Sequence, residues 1–127
     1  MIYSEHNEWH LKFYTILKTG ESPILDFIYG LNKREQTKVF KYIDYLREQK
    51  GMLDEPYSRH IKGKIRELRV DFARNRFRIF YFLFIGKTIV LLHAFEKDTQ
   101  KTPLNEITKA EERLNEVLTY WKHYEKK

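Results

Sequence analysis

Hydrophobic and polar residues are spaced in two ways along the chain, and the two spacings separate strands from helices. In EWHLKFYTIL (residues 8–17) Trp9, Leu11 and Phe13 alternate with His10 and Lys12, which is the period of a half-buried strand. Three later stretches, rich in β-branched and aromatic residues, also predict strands: KIRELRV (64–70), NRFRIFYFLFI (75–85) and KTIVLLHAF (87–95). Residues 71–75 and the pair Gly86-Lys87 are short enough to join these three as hairpins.

Apolar residues at intervals of three or four predict three helices. Ser22-Pro23 is typical of a helix start, with the apolar run that follows stopping near Gly30. Asn32 and Glu35 form the pattern of a capping box. The apolar positions of this second helix are Val39, Phe40, Ile43 and Leu46, with Gly51 expected at its C-terminal end. Thr102-Pro103 opens the last helix, whose apolar positions are Leu104, Ile107, Leu114, Val117, Leu118 and Trp121.

The segment MLDEPYSRHIKG (residues 52–63) contains turn formers and is interpreted as a loop that leads into the next strand. The predicted order is therefore β-α-α-β-β-β-α. This order indicates an α+β fold with a small, mainly antiparallel sheet packed by helices. The length fits a single domain over residues 1–127.

Composition narrows the class of protein further. The chain has no Cys, which excludes disulfides, thiol nucleophiles and Cys-based zinc sites. No apolar stretch reaches the roughly 18 residues of a membrane span, and the N-terminal residues lack the pattern of a signal peptide. We expect a soluble protein of the cytoplasm with no membrane partner.

Positive charge is concentrated in one part of the chain. Residues 59–78 contain eight basic and two acidic residues, whereas charges elsewhere balance, so this window accounts for the whole net charge of +6. Such a concentration favours a polyanion site. A solvated basic hairpin without a partner is the alternative.

The usual catalytic motifs are missing. The sequence has no Gly-rich phosphate loop and no GxSxG motif. His6 and His10 are four residues apart, but they precede a strand, where helical metal-ligand spacing has no meaning. We expect no metal site and no cofactor.

The period of two in the strands brings candidate residues to particular faces. Ile65, Glu67 and Arg69 share one face, and Arg76, Arg78, Phe80 and Phe82 share a face of the next strand. In the last strand the shared face is predicted to be Ile89, Leu91, His93, Phe95 and Lys97. Simpler structural interpretations stay open: a core histidine for His93, edge charges for Arg66 and Arg74, and core packing for Phe80, Phe82 and Phe84. Arg69, Arg78 and Lys97 are harder to explain as structural residues, and a cluster of such cations can bind phosphate and stabilise the charge that develops during phosphodiester cleavage.

IRELRV followed by RFRIFYFLFIGKTIVLLHAFEKDTQKTP closely resembles the RelE/ParE toxin superfamily, in particular its HigB-like, phage-derived branch. The resemblance extends from about Ser22 to about Leu118. The ELR strand, the R-I-F-Y strand and the LLHAF-x-K-x-TQKTP segment occur in the family's order and spacing. The family fold, a small antiparallel sheet packed by helices, agrees with the fold expected from periodicity.

The resemblance implies a toxin of a type II toxin–antitoxin pair, acting as a metal-independent endoribonuclease on mRNA at the ribosome. By position, Arg69 and Arg78 would hold the scissile phosphate, Lys97 would add charge, and His93 would serve as general acid or base, with a contribution from Lys101. The residues expected to grip the RNA backbone are Arg59, Lys62, Lys64 and Arg76. The implied partner is a cognate antitoxin, HigA-like, with a helix-turn-helix domain.

Asp98 departs from the family pattern, because relatives often carry a second basic residue there. An acidic group beside Lys97 would weaken the positive field, so that activity is reduced or Lys101 carries more of it. Two other functions stay open. One is a ParE-like, non-enzymatic inhibitor of DNA gyrase, and the other is a non-toxic, phage-derived module that binds nucleic acid.

Overall fold

The computed structural model of the protein describes residues 8–98 and 103–125. Five strands and three helices make up this part of the chain. The strands are β1 (His10–Phe13), β2 (Ser58–Lys62), β3 (Ile65–Phe72), β4 (Asn75–Phe84) and β5 (Thr88–Glu96). The helices are α1 (Pro23–Tyr29), α2 (Lys33–Glu48) and α3 (Leu104–Thr119), followed by a 3-10 turn, Trp121–His123.

All five strands lie in one sheet, in the order β1-β5-β4-β3-β2. Strands β2 to β5 are antiparallel neighbours, and β1 pairs with β5 in parallel. The predicted α+β fold with a mainly antiparallel sheet and helices packed against it is confirmed. No helix within the described ranges combines the length and the apolar composition needed to cross a membrane.

The segment 52–63 was expected to be a loop, and this prediction is wrong for its second half, which forms β2. This strand pairs with β3 at the edge of the sheet. Of its five residues only Ser58 is buried, and its hydroxyl lies 2.7 Å from the Tyr81 hydroxyl. Because an edge strand with so little buried surface needs few apolar residues, its sequence gives no clear strand pattern.

The two sides of the sheet are distinguished by the strand pairing, since residues directly opposite one another point to the same side. We call the side that carries Glu67, Arg69, Arg78, Phe80 and Phe95 the front face. The back face carries Leu68, Val70, Phe77, Ile79, Tyr81 and Leu91.

A bulge in β5 makes one prediction wrong, namely that Ile89 and Leu91 lie on the same face as His93 and Phe95. Phe80 is opposite His93, but the next residue, Tyr81, is opposite Leu91, so that Leu92 is an extra residue. His93 and Phe95 therefore lie on the front face, as expected together, whereas Ile89 and Leu91 lie on the back face. A single extra residue reverses the alternation, which is why uninterrupted counting along β5 gave the wrong side.

Helices α1 and α2 cover the back face. Phe27 of α1 meets Phe77 edge-to-face with ring centroids 6.1 Å apart. Both predicted helix starts are confirmed. The Ser22 hydroxyl accepts a hydrogen bond from the Leu25 amide, and Asn32 and Glu35 form the reciprocal bonds of a capping box. These bonds satisfy amide groups that a helix start leaves without partners.

Gly51 lies just beyond the end of α2 and fixes how the chain leaves the helix. Its φ of +75° is in the left-handed region, and its amide donates to the Leu46 carbonyl at 2.9 Å. A Cβ at this position would lie 2.4 Å from the Leu83 side chain. The positive φ therefore favours glycine here, as expected from its predicted place at the helix end, and a Cβ would in addition have to displace the end of the Leu83 side chain.

Helix α3 lies against β5 and the front face, where Ala110 and Val117 are buried. Arg113 donates to the carbonyl of Leu92, the extra residue of the bulge, at 3.0 Å. Thr102, predicted to open the helix, lies outside the described residues, and Pro103 takes the N-cap position without a side-chain cap. The helix ends at Thr119, so Trp121, which was expected within it, belongs to the 3-10 turn.

Candidate anion-binding site on the front face

Four cationic side chains come together on the front face, three from neighbouring strands and one directly after a fourth strand. We call Arg59 of β2, Arg69 of β3, Arg78 of β4 and Lys97, directly after β5, the cation cluster. Arg69 and Arg78 are directly opposite each other, and Arg59 is opposite Glu67, two residues before Arg69. The Lys97 amide donates to the Arg76 carbonyl at 2.7 Å, which fixes Lys97 beside β4.

Glu67 is a buried carboxylate in the middle of the cluster. Its side chain is 1% exposed, and its Oε1 lies 3.8 Å from Arg69 Nε and 4.0 Å from Arg78 Nε. It also favours the charged form of Lys97. Glu67 thus offsets part of the repulsion among three cations, without which their burial would be costly. Glu67 was missing from the site predicted from sequence, although the period of two placed it on the face of Arg69.

Arg78 is the most buried member of the cluster, with a side chain only 2% exposed. Its Nη1 donates to the Asp71 carboxylate at 2.7 Å and to the Phe77 carbonyl at 3.0 Å. Asp71 itself is largely exposed. An anion that binds Arg78 at Nη1 would therefore compete with the Asp71 carboxylate, which is free to move into solvent.

Arg69 and Arg59 are the accessible members. The Arg69 side chain is 25% exposed and lies 3.9 Å from the exposed carboxylate of Glu55. Its backbone amide donates to the Tyr57 carbonyl at 2.8 Å, which ties β3 to the start of β2. Arg59 is exposed on the edge strand. Accessibility therefore increases across the sheet, from Arg78 in the centre to Arg59 at the edge.

Lys97 is 7% exposed as a residue, and its pKa is lowered from the ordinary lysine value. Burial is the main cause, and the charges of Arg78, Arg69 and Arg59 lower the pKa further, against the opposing effect of Glu67. An ammonium group in this position gains from a nearby anion. The site therefore provides the fixed guanidinium of Arg78, the more accessible guanidinium of Arg69 and the ammonium group of Lys97. Planar guanidiniums together with an ammonium group are suited to binding a phosphate.

A protein-family model described as "Phage derived protein Gp49-like (DUF891)" matches residues 26–115. This range is more than half of the chain and includes the whole cation cluster. The chain belongs to the phage-derived Gp49-like family. This family is part of the RelE/HigB-like toxin superfamily, in agreement with the resemblance noted in the sequence. No curated protein matches the chain significantly.

In this Gp49-like fold His93 links the sheet to α3. Its Nε2 lies 2.7 Å from the Glu106 carboxylate and its Nδ1 lies 3.1 Å from Arg113 Nη1. Because a guanidinium can only donate, Nδ1 accepts and the ring proton is on Nε2. Burial lowers the pKa of His93, and the positive charges of Arg113 and Lys109 add to this, against the opposing effect of Glu106. His93 is thus held neutral with both nitrogens engaged, as in the structural interpretation of this residue.

The remaining predicted residues are spread around the cluster. Arg76 is exposed at the start of β4, and Lys64 is exposed beside the turn from β2 to β3. Lys62 points towards α3, where its ammonium lies 3.0 Å from Glu111. Asp98 is exposed next to Lys97. The structure brings Arg59, Arg69, Arg78 and Lys97 together, and does not bring Lys62 or Lys64 into contact with them.

Two other predictions concern residues at or beyond the described ranges. Lys101 lies outside them, as does His6. His10 begins β1, and among residues 8–98 and 103–125 no group of three or more His, Asp or Glu side chains is arranged to hold a metal ion.

Proposed function

We propose that the protein is a HigB-like toxin of a type II toxin–antitoxin pair, which cleaves mRNA on the ribosome as a metal-independent endoribonuclease. The cation cluster carries this proposal. The four cations of this cluster, of which Arg78 and Lys97 are almost buried, form a site whose charge is fixed before any ligand binds. Such preorganised charge is the main means by which a protein stabilises a phosphorane-like transition state.

In this mechanism the RNA 2′-oxygen attacks the adjacent phosphorus and loses its proton, and the bond to the 5′-oxygen breaks. The products are a cyclic phosphate and a 5′-hydroxyl, which takes up a proton. Arg69 and Arg78 hold the non-bridging oxygens, and Arg59 and Arg76 contact the backbone on either side. Lys97 adds charge, and its lowered pKa makes it a better proton donor to the 5′-oxygen.

His93 is the proposed general base, and its place in the α3 network sets a condition on that role. Nδ1 accepts from Arg113, so this nitrogen becomes available only when Arg113 turns away. Lys101 is proposed to act at the start of the last helix. A helix-turn-helix, HigA-like antitoxin is proposed as the partner that neutralises the toxin.

The proposal is tested by inducing the protein in a bacterial host and mapping mRNA 5′ ends shortly afterwards. The intact chain is expected to arrest growth and to produce new 5′-hydroxyl ends within coding regions. Arg69→Ala and Lys97→Ala are each expected to relieve the arrest and to remove those ends. Arg47→Ala, which removes an exposed arginine on α2, on the other side of the sheet from the cluster, is the matched control that keeps toxicity.

Arg78→Ala is a third variant expected to relieve the arrest, but its burial makes a folding defect a competing cause. Thermal unfolding and circular dichroism separate the two, and Arg78→Lys retains the charge without the fork. If Arg69→Ala, Arg78→Ala and Lys97→Ala all stay fully toxic, the cation cluster is not the active site.

A ParE-like inhibitor of gyrase is the second candidate, and the engagement of both His93 nitrogens favours it, because a binding protein needs no free acid or base. Growth arrest with intact mRNA and an induced DNA-damage response would support this function over cleavage.

A further inference from the structure

A groove lined by aromatic rings runs along one side of α2, and the proposed function does not use it. Its floor is formed by Phe40, Tyr42, Tyr45, Tyr57 and Phe72. Two adjoining hollows share Thr37, Lys41 and Tyr42 as lining, so they form one continuous surface. We call this surface the aromatic groove.

The rings of the groove are ordered by contacts with one another. Tyr57 meets Tyr42 and Tyr45 edge-to-face, with centroids 6.0 and 5.8 Å apart. The Lys38 ammonium lies 5.6 Å from the centroids of both Tyr42 and Phe72 and also donates to the Asp71 carbonyl. Tyr45 and Tyr57 are nevertheless 39% and 40% exposed. Rigid, partly exposed tyrosines of this kind are typical of protein interfaces, since ordering them on binding costs little.

Charge is distributed unequally along the groove. Arg34, Lys38 and Lys41 line the end towards Phe72, and Asp44 and Glu48 line the end towards Tyr45. A ligand that fits both ends needs acidic groups over the three cations and apolar groups over the tyrosines. An amphipathic protein segment has this combination.

Single-stranded RNA also stacks on aromatic rings, but it fits this surface less well. Its phosphates follow every base, whereas Asp44 and Glu48 place two carboxylates beside the Tyr45 ring. Like charges opposed across an interface are unfavourable. The mixed charge therefore selects a protein segment over a nucleic acid.

We propose that the aromatic groove docks an acidic, amphipathic segment of a partner protein, with its carboxylates on Arg34, Lys38 and Lys41 and its apolar side chains on Tyr42, Tyr45 and Tyr57. The groove and the cation cluster have no residue in common, since α2 covers the back face of the sheet and the cluster lies on the front face. The docked segment therefore leaves the cluster open. This proposal is independent of whether the cluster cleaves RNA.

The test uses the full chain and a displayed library of random peptides about 15 residues long, enough for a helix. Selection on the intact protein is combined with counter-selection on a Tyr45→Ala/Tyr57→Ala double variant. The peptides recovered are expected to have net negative charge and one or more aromatic or leucine side chains. One of the recovered peptides, made synthetically, is expected to bind about tenfold more weakly to Tyr45→Ala than to the parent protein. This is the loss typical of a central interface tyrosine.

Lys41→Glu is expected to weaken the binding of the same peptide several-fold, because it reverses one charge of the groove. Tyr120→Ala and Lys18→Glu are the matched controls, because both residues are exposed away from the groove, and they are expected to keep the dissociation constant. Circular dichroism and thermal unfolding verify that each variant is folded. The winning peptide is also expected to leave the affinity of the protein for a single-stranded RNA unchanged.

Three results would overturn the proposal. The first is recovery of no peptide that depends on Tyr45 or Tyr57, or of peptides that are predominantly basic. The second is weakened RNA binding by Tyr45→Ala, which would make the groove a nucleic-acid surface. The third is a dimer, detected by sedimentation, that Tyr45→Ala dissociates, because the occupant would then be a second copy of the chain.

Discussion

Glu67 determines how much of the positive charge around it is available to a ligand. It lies near the guanidiniums of Arg69 and Arg78 and favours the charged form of Lys97. A carboxylate in an anion site weakens binding in isolation. Here it also allows Arg78 and Lys97 to be charged while nearly buried, so the site exists because of it.

Replacing Glu67 with Gln is expected to destabilise the protein by about 3 kcal/mol, the usual cost of removing one partner from a buried ion pair. The pKa of Lys97 is expected to fall further, because Glu67 opposes the lowering. Urea denaturation measures the first effect. Added sulfate is expected to raise the melting temperature of the variant more than that of the parent, since the anion replaces the lost charge.

Glu111→Gln is the control for this prediction. Glu111 pairs with Lys62 on an exposed part of the molecule, where an ion pair contributes about 1 kcal/mol or less. Equal stability of Glu67→Gln and the parent would show that the cluster does not need its carboxylate.

Residue by residue, the sequence was informative where the chemistry is local. The period of two predicted faces for Arg69 and Arg78, and the pairing shows them directly opposite each other. The role of Glu67 was missed, because only burial shows that a carboxylate is held among cations. The partners of His93 come from α3, and their contact depends on how that helix packs, which no local pattern specifies.

Among the elements, α3 is fixed to the sheet by polar contacts as well as by its buried stripe. Arg113 reaches the bulge carbonyl and His93, and it lies over the Tyr14 ring at 5.0 Å. Tyr14 in turn donates to Glu116 at 2.8 Å, and burial together with this bond raises the pKa of Tyr14 to about 12. The helix therefore bridges β5 and the segment that follows β1.

The stability of this attachment is expected to depend on pH. The pKa of folded His93 lies below its ordinary value of 6.5, so the unfolded chain takes up a proton first as the pH falls. Stability is therefore complete above about pH 6.5 and decreases as the pH falls through that value towards the folded pKa. Urea denaturation between pH 8 and pH 5, at about half-unit steps, measures the slope.

His93→Gln is expected to make the free energy of unfolding depend less steeply on pH between pH 8 and pH 5, because the variant lacks the titrating imidazole. His60→Gln, which removes an exposed histidine on β2, serves as the control for the loss of one imidazole. An unchanged slope in His93→Gln would assign the pH dependence to other groups.

The elements themselves differ in how well their sequences predict them. The starts of α1 and α2 depend on side chains within a few residues, so Ser22 and Asn32 marked them correctly. Strand β2 was missed because its neighbours, more than its own composition, hold it in the sheet. The bulge at Leu92 was missed because register is a property of two strands together.

At the scale of the whole molecule, the cation cluster lies on the front face of the sheet, and the aromatic groove with its mixed charge lies along α2 on the other side. Three of the eight basic residues in the window 59–78 belong to the cluster, and Lys97, which lies outside that window, is its fourth member. Binding of a polyanion to this region releases counterions, so its affinity depends on salt.

The affinity for a single-stranded RNA is expected to fall with salt, with a slope of log K against log salt concentration of about −3 for four phosphate contacts. Lys97→Ala is expected to make the slope less steep by about 0.7. Fluorescence anisotropy over a salt series measures both. Lys18→Ala, at an exposed turn, is expected to keep the parent slope, and a parent slope near zero would exclude the cluster as an RNA site.

The parallel pairing of β1 with β5 has a consequence for folding during synthesis. His10 pairs with Thr88, so β1 leaves the ribosome long before its partner strand exists, whereas β3, β4 and β5 can join through two short turns. Closing so long a loop costs more conformational entropy than forming a hairpin and is therefore slower. Since the cluster is carried by β2, β3, β4 and the residue after β5, it is expected to form through these short connections, before β1 pairs at the edge of the sheet.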